Sequence, residues 1–230
     1  VFLIVKESFV QLLESNLQHT EEFEDKFDDL QDSQEPEFVT VCCSDSRVLQ
    51  DHMWGNQHPG KVFTCSNIGN RTFQQTEDGK AVSGDVLYPI AHTDTKTVIV
   101  VGHTGCGAVT ATYKDLTEGL DEPSGITHCI DLLEDRLEEG LDKLPEDLTD
   151  SQAVNHLVEY NVDREVEVLT ESEEVPEDVD IIGVVYDFQD IYSETRGKVH
   201  IINVNGRNSV EDLKEQNPEI EDRVNRLWEP

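Results

Sequence analysis

The chain has 230 residues, with 50 Asp plus Glu against 17 Lys plus Arg, a formal charge of −33. That balance argues against a phosphate-backbone binder, which needs Lys and Arg to displace counterions. Apolar runs spread through the chain exclude a wholly disordered acidic polymer, and none is long enough to span a membrane.

In chain order, residues 6–30 are predicted helical. Phe9, Leu12, Leu13 and Leu17 form an apolar stripe that Phe23 and Phe27 continue. Pro36 interrupts, and Phe38–Cys43 follows as a buried strand. A second strand is expected near 61–65, after the turn-rich stretch 55–60. A helix is expected over 81–91, despite Gly84 and Pro89. The β-branched run Thr97–Val101 is the next buried strand, and a helix starts close to Cys106. Residues 115–127 carry Gly119, Pro123 and Gly125 and read as loop. Helices over about 128–139 and 150–170 flank a break at 144–147. Strands at 181–186 and 199–204 then pair as a hairpin through the Gly197 region.

Strands alternating with helices predict an α/β fold: a mainly parallel central sheet, one antiparallel edge strand and helices on both faces. The division expected is an N-terminal helical arm, 1–35, followed by a single α/β domain, 36–230. Five cysteines make no disulfide framework, and the short apolar opening Val1–Val5 is no secretory signal. A reducing cytoplasm fits best. An acidic surface over a folded core repels itself at low ionic strength, and molar salt screens that repulsion. The charge is therefore read as salt adaptation.

Two short segments carry the chemistry. Cys43-Ser44-Asp45-Ser46-Arg47 follows the first buried strand, and Gly102-His103-Thr104-Gly105-Cys106-Gly107 follows the 97–101 strand. Both lie at the carboxyl ends of predicted parallel strands, where open α/β sheets bind ligands. Extended chain puts Cys43, Asp45 and Arg47 on one face, away from Cys42 and Ser44. His103 and Cys106, three apart, share one side of a turn entering a helix. Two thiols and an imidazole suit tetrahedral zinc, the fourth position going to water or to Asp45. Arg47 matches Asp45 as a guanidinium fork matches a carboxylate.

Cys43-x-Asp45-Ser46-Arg47 followed by His103-x-x-Cys106 resembles the paired signature of beta-class carbonic anhydrases. Asn67-Ile68-Gly69-Asn70 and Gly183-Val184-Val185-Tyr186-Asp187 extend the resemblance over roughly 38–206. It implies one zinc per chain on Cys43, His103 and Cys106, with Asp45 and Arg47 as an orienting dyad. It implies reversible hydration of carbon dioxide to bicarbonate and a proton by zinc-bound hydroxide. It also implies a homodimer or larger assembly, with the N-terminal helix lying across the neighbour. Gln57 is the candidate substrate-binding glutamine. Ser66 stands where a bicarbonate-regulated form of the family carries Arg, which argues against that form, although Arg71 lies nearby in sequence.

Plainer readings stand beside these. Cys42, Cys65 and Cys129 read as packed thiols, and His52, His58 and His92 as solvated surface groups. Gly102–Gly107 lacks the Lys-Ser/Thr pair of a phosphate loop. The alternatives for the whole protein are a carbon disulfide or carbonyl sulfide hydrolase of the same fold, a non-catalytic thiol-zinc storage or redox protein, and an acidic binding module.

Overall fold

The computed structural model describes residues 6–228; the apolar opening, residues 1–5, lies outside that range. The elements are α1 (Glu7–Phe23), β1 (Phe38–Cys43), β2 (Val62–Asn67), β3 (Phe73–Thr76), β4 (Gly79–Val82), α2 (Gly84–His92), β5 (Thr97–His103), α3 (Gly107–Glu118), α4 (Ser124–Leu141), α5 (Asp150–Thr170), β6 (Asp180–Asp187), β7 (Lys198–Val204) and α6 (Val210–Gln216). One five-stranded sheet runs in the order β2-β1-β5-β6-β7. Its first four strands are parallel, and β7 pairs antiparallel to β6 at the edge.

The helical cover is unequal between the two faces. Val98 and Val100 of β5, Ile181 and Val185 of β6, and Val39 and Val41 of β1 join one large buried cluster with residues of α2, α3, α4 and α5. Glycine lets the longest helix approach: a Cβ at Gly102 would lie 2.6 Å from Val162 Cγ2 of α5. Close packing leaves no room for that methyl. On the other face Cys42, Val101 and Val184 form a smaller cluster. It is edged by half-buried Ile99, Ile182, Val199 and Ile201, and among the described residues the helical cover packed on it is the 3-10 turn His52–Trp54, which supplies Met53 and Trp54.

Four segments differ from the sequence expectation. Residues 73–82 form a small hairpin, β3–β4, joined through Glu77-Asp78. The predicted loop 115–127 shrinks at both ends: α3 runs on to Glu118 until Gly119, at φ +81, stops it, and α4 starts right after Pro123. At the C-terminal end α6 and a 3-10 turn, Pro218–Arg223, add cover near β7. The predicted first helix is split, α1 giving way to a 3-10 turn at Glu24–Leu30. None of α1's residues is buried; Phe9, Leu12, Leu13 and Leu17 are all more than half exposed. The start of α5 is fixed by a capping box, in which Thr149 Oγ1 accepts from the Gln152 N–H and Gln152 Oε1 accepts from the Thr149 N–H.

Candidate metal centre

β1 ends at Cys43, and the chain turns at once. The Asp45 N–H donates to the Cys43 carbonyl at 2.8 Å and the Val48 N–H to the Asp45 carbonyl at 3.0 Å. The expected extended run through Arg47 therefore stops at Cys43. A side-chain-closed turn brings Asp45 and Arg47 together instead, because a short carboxylate competes well for nearby backbone donors. The Arg47 N–H donates to Asp45 Oδ1 (2.9 Å), Arg47 Nε to the same oxygen (2.9 Å) and Nη2 to Oδ2 (2.6 Å). This fork holds the Asp45 carboxyl low, at about 2.

Neighbouring cysteines point apart: Cys43 belongs to the helix-side cluster, and Cys42 to the opposite one. Burial pushes Cys42 up to about 12, and Cys65 likewise. Both are packed thiols, inert at neutral pH.

β5 ends at His103, and Cys106 is the N-cap residue of α3. Between them Gly105 sits at φ +59, in the left-handed region that favours glycine. Two side chains hold this turn. Buried Asn155 of α5 accepts the Gly105 N–H on Oδ1 at 2.9 Å, and Arg47 Nη2 donates to the Gly105 carbonyl at 3.2 Å.

Because β1 and β5 are parallel neighbours, the ligand atoms of Cys43, His103 and Cys106 converge to within 4.8 Å of one another, all three residues buried. Cys106 Sγ donates to Cys43 Sγ at 3.8 Å. That shared proton lowers Cys43 and raises Cys106, outweighing the lowering by the Ala108 and Val109 amides at the start of α3. His103 Nδ1 lies 3.1 Å from the Thr104 carbonyl. Donation there leaves Nε2 with a free lone pair, and this buried atom has no hydrogen-bond partner. An unpaired buried imidazole nitrogen costs on the order of 1–3 kcal/mol. Its place beside two thiols fits a borderline-soft cation, with three protein ligands and a fourth position open. Asp45 Oδ2 is 3.7 Å from His103 Nε2 but falls outside the mutually close set.

Gln57 is placed elsewhere. It lines a cavity of about 470 Å³ with His19, Phe23, His52 and His58, and its carbonyl accepts from Lys26 Nζ. None of Cys43, Asp45, Arg47, His103 and Cys106 lines that cavity. Ser66 Oγ takes a hydrogen bond from Gln50, and Arg71 Nε folds back onto the Ile68 carbonyl at 3.1 Å.

Sequence reasoning missed the residues that support the site from a distance. Asn155 lies 50 positions from the glycine it holds. Thr104 Oγ1 donates to the buried carboxylate of Asp187 (3.4 Å) and accepts from the Phe188 N–H (3.2 Å), 83 and 84 positions away. The one local signal was an Asn on the buried face of α5, a residue poorly suited to helix interiors, and it shares that face with Glu159, Asn161 and Glu165.

The profile of the carbonic anhydrase family matches residues 38–199. A carbonic anhydrase of Helicobacter pylori strain J99 is 34% identical over 104 residues, which cover 44% of this chain and 47% of that protein. The chain thus spans about half the length of the curated relatives that head the comparison. Among solved structures, the beta-carbonic anhydrase CafA of Aspergillus fumigatus is 25% identical with a TM-score of 0.69, covering 92% of this chain and 96% of that one. Tetrameric beta-carbonic anhydrases of Sordaria macrospora share the fold, at 23% identity and a TM-score of 0.67, covering 86% and 98%.

Proposed function

The chain belongs to the beta-class carbonic anhydrase family, and from that premise we propose that it interconverts carbon dioxide and bicarbonate, using one zinc ion per chain. The observation that carries this reading is the buried Cys43–His103–Cys106 set with Asp45 tied by Arg47 just outside it. Cys43, His103 and Cys106 would hold a zinc ion there, which when bound would supply Lewis acidity and bring the pKa of a water to about 7. The geometry supports the following roles for the protein groups. Cys43 and Cys106 would bind the metal as thiolates, and donation to the Thr104 carbonyl would keep His103 in the tautomer whose Nε2 can ligate. Asp45, ionised across the physiological range, accepts a hydrogen bond from the attacking water and turns a lone pair toward the carbon of the substrate. Arg47 fixes the orientation of that carboxylate. The proton released goes to solvent and buffer. Gln57, which lines a separate cavity, is given no substrate contact in this reading.

The same reading covers setting and assembly. Residues 1–35 act as an arm and 36–230 as the catalytic domain. The exposed apolar stripe of α1 and the half-covered sheet face support a homodimer or larger assembly that buries both. The charge of −33 and carboxylates crowded as closely as Asp115, Asp131 and Glu134 support a halophilic, cytoplasmic protein of an acidic proteome. Among the described residues no helix is long and apolar enough to cross a membrane.

Stopped-flow hydration of carbon dioxide in molar salt, on protein of known zinc content, tests the reading. Expected are activity with about one zinc per chain and loss of both in Cys106→Ala. Zinc without hydration across the neutral range would overturn it. The melting temperature should climb between low and molar salt; a flat or falling trend removes the salt-adapted part.

A further inference from the structure

Phe188 directly follows β6, and its ring touches two parts of the candidate site at once. The ring is stacked on His103, with centroids 5.7 Å apart and planes 25° from parallel. The guanidinium carbon of Arg47 lies 4.6 Å from the same ring's centroid. The backbone fixes where the ring stands. The Phe188 N–H donates to Thr104 Oγ1, while the buried Asp187 carboxylate accepts from the Thr104 hydroxyl and from the N–H groups of Gln189 (3.0 Å) and Tyr192 (2.9 Å).

Arg47 needs such a support. Its side chain is 49% exposed, so water competes for every donor it offers. Asp45 and the Gly105 carbonyl hold the guanidinium through its edge, in its own plane. Hydrogen bonds in that plane resist tilting of the fork out of it only through their own loss of linearity. A ring under the guanidinium carbon adds to that resistance, because an aromatic quadrupole attracts a guanidinium and Arg stacks readily.

We propose that Phe188 is a positioning residue: its ring is the platform that keeps the Arg47 fork, and through it the Asp45 carboxylate, aligned beside the Cys43–His103–Cys106 set. The inference rests on the reading that Asp45 and Arg47 serve carbon dioxide hydration. It adds that the segment after β6, remote in sequence from both signatures, sets the geometry of the dyad.

Phe188→Leu keeps most of the volume and removes the π face; Phe188→Tyr keeps both. With zinc content equal to that of the parent, Phe188→Leu should lower kcat/KM by about 2- to 30-fold, the range a cation–π contact spans. Phe188→Tyr should restore it. Unchanged kcat/KM in Phe188→Leu, or an equal loss in Phe188→Tyr, would overturn the proposal. A second readout needs no turnover: the Arg47 Nε–H proton resonance, identified through its loss in Arg47→Lys. It should be ring-shifted in the parent and in Phe188→Tyr and should lose that shift in Phe188→Leu. If the parent fails to hydrate carbon dioxide, the functional reading falls, and this resonance still decides the stacking. No difference between the parent and Phe188→Leu would refute it.

Discussion

On one face of the central sheet, Val98, Val100 and Gly102 of β5 lie under α5; on the other, Ile99 and Val101 of the same strand join a small cluster whose cover from outside the sheet is Val48, Met53 and Trp54. Both rows are apolar, as expected of parallel strands built to be covered on both sides. The chain supplies a finished, close-packed cover for the first face. Over the second, a cavity of about 380 Å³ lies open between Met53, Trp54, Ile99, Ile182, Val199 and Ile201. Stability on the covered face is thus intrinsic to one chain, whereas in the proposed assembly a second chain would complete the open face, and its contribution would then depend on protein concentration.

The largest expected effect comes from the open face. Ile201→Asp puts a charge where the proposed assembly buries an apolar row. By light scattering after size exclusion, the mass should fall to that of a single chain, with the fold retained by circular dichroism. An unchanged assembly mass would move the interface elsewhere.

On the covered face, α5 carries Glu159, fully buried, its Oε1 accepting from Tyr192 OH (2.7 Å) and the Leu227 N–H (2.8 Å). Burial pushes its carboxyl from 4.5 up to about 7. Between those values the unfolded chain gives up a proton that the folded chain keeps. The contribution of this group is therefore full below pH 4.5 and is lost as pH rises through 7, a swing of about 3 kcal/mol. Glu159→Gln removes that loss, so the variant should gain on the parent in urea titrations as pH rises across the window. Parallel curves would mean that Glu159 is ionised in the fold. His200, pushed down to about 4 by burial, slopes the other way in both proteins, so only their difference is informative. The smallest effect is Gly102→Ala: overpacking against Val162 should cost about 1–3 kcal/mol, with a lowered melting temperature at every protein concentration. A loss that vanishes on concentrating the protein would show that assembly, rather than α5, governs that strand.

The same division explains what was legible in the sequence. β1, β5, β6, β7 and α5 were readable because β-branched runs and long helical stretches announce buried elements. The hairpin of β3 and β4 was passed over because Gln74 and Gln75 break any apolar alternation, although Asp78-Gly79 is a turn signal. The ligand set was readable because Cys43 ends one strand and His103 the next, and Cys106 opens the helix that follows. The support from Asn155 and Phe188 was not, since it exists only once distant segments pack. Nor did residue spacing foretell the turn at Cys43, which a hydrogen bond from Asp45 creates.

The pairing of β1 with β5 also bears on the order in which the protein acquires its shape. Val39 meets Val98, and Cys42 meets Val101, across about 60 residues of intervening chain that hold β2, the small hairpin and α2. Closing so long a loop comes late in folding, since its entropy is lost before any contact rewards it. The only ligand pair that is local in sequence is His103 and Cys106. A cation arriving early finds two donors at most, and the third is delivered by the sheet itself. Tight metal capture during refolding is in this sense a clock that starts when the centre of the sheet zips shut.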